Sequence, residues 1–230
     1  MLLQAVTAKS QTTELGNNPS HGRFYSIRGI KLYVEQYGNG KPLVLLHGNG
    51  GSISSMAAII PYFAERYHVI AVDSRAHGKS TDESDSLSFE MMADDIAALL
   101  DTLKLDAANI IGWSDGGIVS LELAMRHPQK VKKLVSTGAN LWPDSTALMP
   151  DFWREEQQTF EKGKNKILTN KAEKNAWKLF LLDWYQPNIA LAQLQTIAAP
   201  ALIVSGDKDL IRLEHTILIY QNIPKGQLWV

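Results

Sequence analysis

The sequence predicts an α/β fold in which helices flank a mainly parallel β-sheet. Short apolar runs with the length of buried strands alternate with segments of helical periodicity along most of the chain. Most of these runs are continuous rather than alternating, which is typical of strands covered on both faces. The chain has 230 residues, 45% of them hydrophobic, which is enough for one domain with a large core.

The predicted strands occur in a regular order. The first two alternate between apolar and polar residues, and Arg28-Gly29 forms the turn between them. Continuous apolar runs then predict five buried strands and the beginning of a last one. The predicted strands are 24–27, 30–37, 42–47, 68–73, 109–113, 131–137, 201–205 and 227–230, the last being incomplete.

Helical spacing predicts four helices between these strands, at 54–66, 88–104, 117–127 and 211–222. The helix at 88–104 has Ser88 as its predicted N-cap. Its inward stripe consists of Met91, Met92, Ile96, Leu99, Leu100 and Leu103. Right-handed crossovers between parallel strands place such helices on both faces of the sheet.

One stretch interrupts the alternation. Residues 141–198 have no buried-strand pattern but contain four tryptophans among many charges, namely Trp142, Trp153, Trp177 and Trp184. This predicts a small helical cap that divides the core into residues 23–140 and 199–230. The aromatic residues of the cap have two interpretations, as the lining of a substrate pocket or as the packing between cap and core.

Residues 1–22 differ in composition from the rest. Met1 to Ala8 is mostly apolar, and Ser, Thr, Asn and Gly dominate from there to His21. We interpret this segment as a leader that is either disordered or the remnant of a secretory signal. The compartment therefore stays open between the cytoplasm and, if residues 1–10 are a signal remnant, the periplasm or the outside of the cell.

Composition excludes several classes of function. A net charge of −1 gives no electrostatic indication of nucleic acid or an anionic membrane as a partner. The sequence contains no cysteine, which excludes disulfides, thiolate metal sites and cysteine nucleophiles. The histidines lack metal-ligand spacing, so we expect no metal and no cofactor. The oligomeric state stays undetermined.

The motif with the most chemical content is Gly112-Trp113-Ser114-Asp115-Gly116. It is G-x-S-x-G between a predicted strand and a predicted helix, a junction that holds a serine on a tight turn with its hydroxyl exposed. Glycines flank such a turn because a Cβ there crowds the backbone. We predict that Ser114 is a nucleophile that attacks an acyl carbon.

A nucleophilic serine needs donors for the oxyanion that develops on its substrate. The backbone N–H of Asp115 is one predicted donor. The other is the N–H of Asn49, in the glycine-rich loop 47–51 that follows a predicted buried strand. We expect His47 to orient this loop rather than to act in catalysis.

The acid and the base of a Ser–His–acid triad are expected after later strands. Gly206-Asp207-Lys208-Asp209 follows the strand at 201–205, and we assign Asp209 as the acid and Asp207 to the turn. Of the six histidines, His215 alone follows Asp209, and it lies in a predicted helix. The sequence therefore predicts that the general base is missing from this chain, and that the chain is truncated at its C-terminus.

Four motifs together resemble the α/β-hydrolase superfamily over residues 24–230. They are H-G-N-G at 47–50, D-S-R-A-H-G-K-S at 73–80, G-W-S-D-G at 112–116 and G-D-K-D at 206–209. The resemblance implies the α/β-hydrolase fold, with the cap inserted before the strand that carries the acid. Ala76 departs from the pattern, because the superfamily usually has glycine there.

Two segments, 112–118 and 137–140, resemble the valacyclovir hydrolase, or biphenyl hydrolase-like, branch. The resemblance implies a serine hydrolase of α-amino-acid esters in which the side chain of Asp115 binds the substrate's ammonium group.

We expect hydrolysis of small carboxylic esters through an acyl-enzyme on Ser114, with Asp115, Trp113 and Trp142 in contact with the substrate. Two alternatives stay open: a non-catalytic small-ligand-binding protein on the same fold, and a cofactor-free perhydrolase or C–C hydrolase that uses the same residues.

Overall fold

The computed structural model describes residues 14–230 and contains one eight-stranded sheet. The strands are β1 (Gly22–Ile27), β2 (Ile30–Tyr37), β3 (Lys41–Leu46), β4 (Tyr67–Val72), β5 (Ala108–Trp113), β6 (Val131–Thr137), β7 (Ala201–Val204) and β8 (Gly226–Trp229). Their spatial order is β1-β2-β4-β3-β5-β6-β7-β8. β1 and β2 run antiparallel to their neighbours, and all other pairs are parallel. The predicted fold class is confirmed.

The helices lie between these strands. They are α1 (Ile60–Ala64), α2 (Phe89–Thr102), α3 (Asp115–Arg126), α4 (Pro150–Gly163), α5 (Lys171–Tyr185), α6 (Leu191–Leu194) and α7 (Leu213–Gln221). The prediction of an N-cap at Ser88 is confirmed, because its Oγ accepts a hydrogen bond of 3.2 Å from Met91 N. In the predicted stripe of α2, Met91 and Leu103 are half-buried and the other four residues are buried.

The predicted helix at 54–66 is wrong. The structure has a 3-10 turn at Ile53–Met56 and then the short helix α1. Pro61 explains the break, because a proline has no N–H to donate and is tolerated only in the first turn of a helix.

The parallel strands place four loops at one edge of the sheet. Leu46 pairs with Gly112, Trp113 pairs with Thr137, and Thr137 pairs with Val204. The carboxyl ends of β3, β5, β6 and β7 are therefore side by side. Because ligands of open α/β sheets bind outside these ends, the loops that follow form the natural position for a site.

The predicted cap, residues 141–198, contains α4, α5 and α6, and polar contacts tie it to the core. Asn175 Nδ2 on α5 donates to Ala76 O at 2.8 Å, and Lys178 Nζ bonds to Asp82 Oδ2 at 2.7 Å. Within the segment 141–198 itself, Ile189 N donates to Leu141 O at 2.8 Å, while the two contacts of α5 are those that reach the core. These contacts set the position of α5 over the carboxyl edge of the sheet.

Residues 14–22, which belong to the predicted leader, are packed on the core. Gly16 N and Asn18 N donate to the carboxylate of Glu35 at 2.7 and 2.8 Å, and Asn18 is buried. A buried carboxylate on β2 therefore takes its hydrogen bonds from this part of the predicted leader. Residues 1–13, including the possible signal remnant at 1–10, lie outside the described residues.

Within residues 14–230, no helix combines the length and the apolar character needed to cross a membrane.

Candidate active site

Ser114 occupies the tight turn between β5 and α3 and has a left-handed backbone, with φ +54°. Its N–H donates to Thr137 O at 2.8 Å, which holds the turn against the end of β6. A Cβ on Gly112 would lie 1.9 Å from Gly116 O, and one on Gly116 would lie 2.2 Å from Leu46 O. The G-x-S-x-G pattern is thus a steric requirement of this turn.

The loop after β3 passes directly against Ser114. A Cβ on Gly48 would lie 2.9 Å from Ser114 Cβ. Asn49 follows in the same loop, and Asp115 N is the first N–H of α3, which no carbonyl of that helix accepts. Both predicted oxyanion donors therefore belong to segments that border Ser114.

His47 supports the same loop. Its Nε2 accepts from Ser74 N at 3.1 Å, so the proton is assigned to Nδ1, which donates to Gly48 O at 2.7 Å. Burial lowers the pKa of His47, in keeping with a neutral ring. With both nitrogens engaged by backbone, this histidine orients the loop.

Asp209 and Ser114 lie on either side of Gly138. A Cβ built on Gly138 would be 3.7 Å from each carboxylate oxygen of Asp209 and 3.9 Å from Ser114 N. The carboxylate accepts from Gly206 N at 3.3 Å and from Ile211 N at 3.1 Å. Asp207 is exposed on the same loop. The structure thus places the predicted nucleophile and the predicted acid beside one another.

A cavity of about 440 Å³ lies at this edge of the sheet, between core and cap. The core contributes Trp113, Ser114, Asp115 and Asp209 to its lining, and the cap contributes Trp153, Glu156, Asp183 and Trp184. Asn49 is outside this lining, and its side-chain Nδ2 donates to Leu179 O of the cap at 3.1 Å. Its predicted role depends on the backbone N–H alone.

Trp142, which we expected at the substrate, is not part of this lining. Its indole N–H donates to Thr146 Oγ1 at 2.7 Å, and its ring packs edge-on against His215 with centroids 4.7 Å apart. The expectation failed because the side chain turns toward α7 instead of the cavity.

The cap aromatics combine both roles that the sequence left open. Trp153 and Trp184 line the cavity and stack on each other, with centroids 5.2 Å apart and an interplanar angle of 8°. Trp177 is outside this lining and stacks on Phe180, with centroids 4.9 Å apart. The first pair therefore borders the cavity and joins α4 to α5, while the second packs along α5 itself.

The carboxyls of Asp115, which is buried, and of Asp183, which is half-buried, lie within hydrogen-bonding reach of each other. Asp115 is only 3% exposed. No donor within residues 14–230 reaches Asp115 Oδ2 or Asp183 Oδ1. Burial raises the pKa of Asp115 to about 7, while the Asn49 amide beside it acts in the opposite direction. Burial and the adjacent Asp115 raise the pKa of Asp183 well above its ordinary value.

A family model described as alpha/beta hydrolase fold matches residues 41–176, which include the tight turn at Ser114, the loop after β3 and part of the cap. The chain belongs to the α/β hydrolase fold family.

Individual relatives of this α/β hydrolase differ in what they act on. The 2-hydroxymuconate semialdehyde hydrolase of Pseudomonas sp. (strain CF600) is 33% identical over 127 residues, 54% of this chain and 45% of that protein. The serine hydrolase BPHL of Homo sapiens is 27% identical over 222 residues, 88% of this chain and 76% of that protein. The chain spans about half the length of several curated relatives that it matches.

The same fold is found in Est816, whose solved structure is described as that of an N-acyl homoserine lactone degrading enzyme. It superposes with a TM-score of 0.76 at 26% identity, over 90% of this chain and 91% of that chain. The match with BPHL supports the predicted resemblance to the biphenyl hydrolase-like branch of the family.

None of the histidines in the described part of this α/β hydrolase lines the cavity. His215 Nε2 accepts from Leu141 N at 2.9 Å, and burial lowers the pKa of His215 to about 4. The ring of His77 lies against that of His47, and burial lowers its pKa to about 4. The rings of His47, His77 and His215 therefore make contacts that stabilise the fold.

The departure at Ala76 has a conformational explanation. Ala76 has φ +64° and lies in the loop after β4, at the position where the resemblance led us to expect glycine. A left-handed conformation costs a residue with a Cβ about 1–2 kcal/mol, which a domain of this size tolerates. The loop keeps its form because Asp73 accepts from Ile53 N and from Lys79 N, both at 2.7 Å.

Sequence reasoning missed two acidic residues of the site, Asp183 and Glu156. Asp183 lies within the apolar segment Leu179-Phe180-Leu181-Leu182-Asp183-Trp184. A carboxylate inside such a run is a signal for a buried functional group. Glu156 gives no comparable signal, since it lies among other charged residues.

Proposed function

We propose that this α/β hydrolase is a serine hydrolase that cleaves small carboxylic esters through an acyl-enzyme on Ser114. The strained backbone of Ser114 at the floor of the cavity supports this proposal most directly, since such a turn presents the hydroxyl to a substrate. Asp209 supplies the acid of the triad, and the N–H groups of Asn49 and Asp115 hold the oxyanion.

In this reaction the Ser114 hydroxyl attacks the ester carbon while a base accepts its proton. The tetrahedral intermediate collapses, the alcohol leaves with that proton, and water then releases the acid from Ser114. The base is an imidazole oriented by Asp209. None of the six histidines of the sequence occupies that position, and we propose that these 230 residues require a base from outside them.

The side chain of Asp115 is proposed to bind a positively charged amine of the substrate. Asp115 directly follows the nucleophile, so an amine close to the ester carbon is in reach of its carboxyl. The similarity to BPHL supports this assignment.

Rescue by added imidazole tests the proposal on the chain as it stands. Hydrolysis of p-nitrophenyl butyrate is measured with increasing imidazole, in the wild type, in Ser114→Ala and in Ser86→Ala, whose serine is exposed on a distant loop. We expect a saturable increase of about tenfold or more over the uncatalysed imidazole reaction in the wild type and in Ser86→Ala. Equal rates in wild type and Ser114→Ala contradict the proposal.

C–C bond hydrolysis is the second candidate, because of the 33% identity with 2-hydroxymuconate semialdehyde hydrolase. The same rescue assay with 2-hydroxymuconate semialdehyde distinguishes the two reactions. Ser114-dependent loss of this substrate, without turnover of esters, favours the C–C hydrolase. Saturable binding without turnover of either substrate favours a non-catalytic binding protein.

A further inference from the structure

The paired carboxyls of Asp115 and Asp183 join the core to the cap at the cavity. Asp115 is the first residue of α3, and Asp183 lies on α5, the helix that Asn175 and Lys178 fasten to the core. Both residues line the cavity that contains Ser114. The contact between the two carboxyls therefore depends on where the cap lies over the core.

These carboxyls have unmet hydrogen-bonding capacity. Asp115 is only 3% exposed, and its Oδ2 has no donor within residues 14–230. Asp183 Oδ1 is likewise buried without a donor in this part of the chain. A buried carboxylate without a partner is costly, so two that face each other reduce the cost by sharing one proton.

The charged groups around the pair do not neutralise it. Glu156 on α4 faces Asp183 and adds a further negative charge. Lys208 also lines the cavity, but it is exposed on the loop after β7, together with Asp207. The Asn49 amide lies beside both carboxyls and supplies a neutral contact. The site is therefore electrically suited to a cation that enters from the cavity.

We propose that Asp183 is a specificity-determining residue that, with Asp115, forms a two-carboxyl seat for the primary ammonium group of the substrate. An –NH₃⁺ group offers three donors, so one ammonium can donate to both carboxyls at once. Its entry releases the proton that the empty pair shares. The proposal rests on the proposed function and extends it, because it assigns the cap a part in selecting amine-bearing esters.

Calorimetry with an amine that cannot be hydrolysed tests the seat without relying on catalysis. The probe is L-valinol, and its control is 3-methyl-1-butanol, which lacks only the amino group. Titration at pH 7 in buffers of different ionisation enthalpy measures the protons released on binding. We expect valinol to release between about half a proton and one proton and the alcohol to release none, because ionising the pair is what the cation favours.

Two variants test whether Asp183 is responsible for valinol binding and for the release of protons. Asp183→Asn should weaken valinol binding about tenfold or more and reduce proton release, while binding of 3-methyl-1-butanol changes less than about twofold. Glu155→Gln removes one carboxylate from an exposed position of the same cap and should behave as the wild type. Thermal unfolding of each variant verifies that the fold is retained. If valinol binds Asp183→Asn as tightly as the wild type, or releases no proton from the wild type, the proposal is wrong.

The two proposals fail in different ways. If Asp183→Asn leaves valinol binding unchanged while ester hydrolysis depends on Ser114, the two-carboxyl seat is contradicted and the serine hydrolase proposal stands. Valinol binding that depends on Asp183, without any hydrolysis that depends on Ser114, contradicts the proposed function and supports the seat alone.

Discussion

Asp209 and Asp115 are both carboxyl groups that border the cavity at Ser114, and the protein surrounds them in opposite ways. Each oxygen of Asp209 accepts a backbone N–H, from Gly206 and from Ile211. Asp115 is buried with an oxygen that no described residue reaches, and its closest charged neighbour is another carboxyl, Asp183. The comparison shows how the donors around a side chain set its role: Asp209 is fixed in orientation, whereas Asp115 is left available to a ligand.

The largest expected effect concerns the fixed carboxyl. Asp209→Asn should lower the imidazole-rescued, Ser114-dependent rate by about 10³-fold, because an amide neither orients an imidazole in the correct tautomer nor stabilises its cation. Asp207→Asn, on the exposed neighbour in the same loop, is the matched control and should change the rate less than about threefold. Equal losses in both variants mean that the assignment of the acid to Asp209 is wrong.

The next effect concerns the buried carboxyl of Asp115 and is a change of the free energy of unfolding with pH. Because burial raises the pKa of Asp115 from 3.8 to about 7, the folded protein holds this proton more tightly than the unfolded chain. This contribution to stability is fully present below the ordinary pKa of 3.8 and is lost as the pH rises through about 7.

Asp115→Asn removes this titration and should flatten the decline between pH 4 and pH 7. Urea unfolding at several pH values measures it, with Glu155→Gln as a control that removes an exposed carboxylate. Parallel curves for wild type and Asp115→Asn contradict the prediction. Part of any residual slope belongs to Asp183, whose pKa is raised as well.

The smallest expected effect tests whether the Ser114–Asp209 side of the cavity is independent of the Asp115–Asp183 side. Gly138 lies between Ser114 and Asp209 with φ +64°, so Gly138→Ala should destabilise the protein by about 1–2 kcal/mol through backbone strain. Its new Cβ is in ordinary contact with Asp209, 3.7 Å from each oxygen, so no direct clash adds to this cost. Binding of L-valinol should change less than about twofold, since the substitution does not touch Asp115 or Asp183. Chemical denaturation and calorimetry on one preparation measure both; a tenfold weaker affinity for valinol contradicts the separation.

Local patterns predicted the parts of the molecule in which neighbours in sequence are neighbours in space. The strands from β2 to β7 start and end within two residues of their predicted limits. The helix at 54–66 failed for an equally local reason, since Pro61 interrupts a pattern whose apolar spacing is otherwise helical. The contacts of Gly16 and Asn18 in the predicted leader are not local, because their partner, Glu35, belongs to a strand further along the chain.

The aromatic residues show where such reasoning ends. Trp142 and Trp184 are equally plausible pocket residues in sequence, yet one packs on His215 and the other lines the cavity. Nothing in the local pattern distinguishes them, because the direction of each side chain depends on how the cap is seated on the core.

The sequence by itself determined the glycine-flanked turn at Ser114, the glycine-rich loop and the alternation of strands and helices. Each is a short-range property, since glycine spacing and apolar periodicity act through steric contacts and burial within a few residues. Tertiary structure alone decided the pairing of Asp115 with Asp183, which are 68 positions apart in the chain. Their contact exists because α5 is held over the carboxyl edge of the sheet by polar bonds from the cap to the core, and burial between the two layers is what changes their protonation.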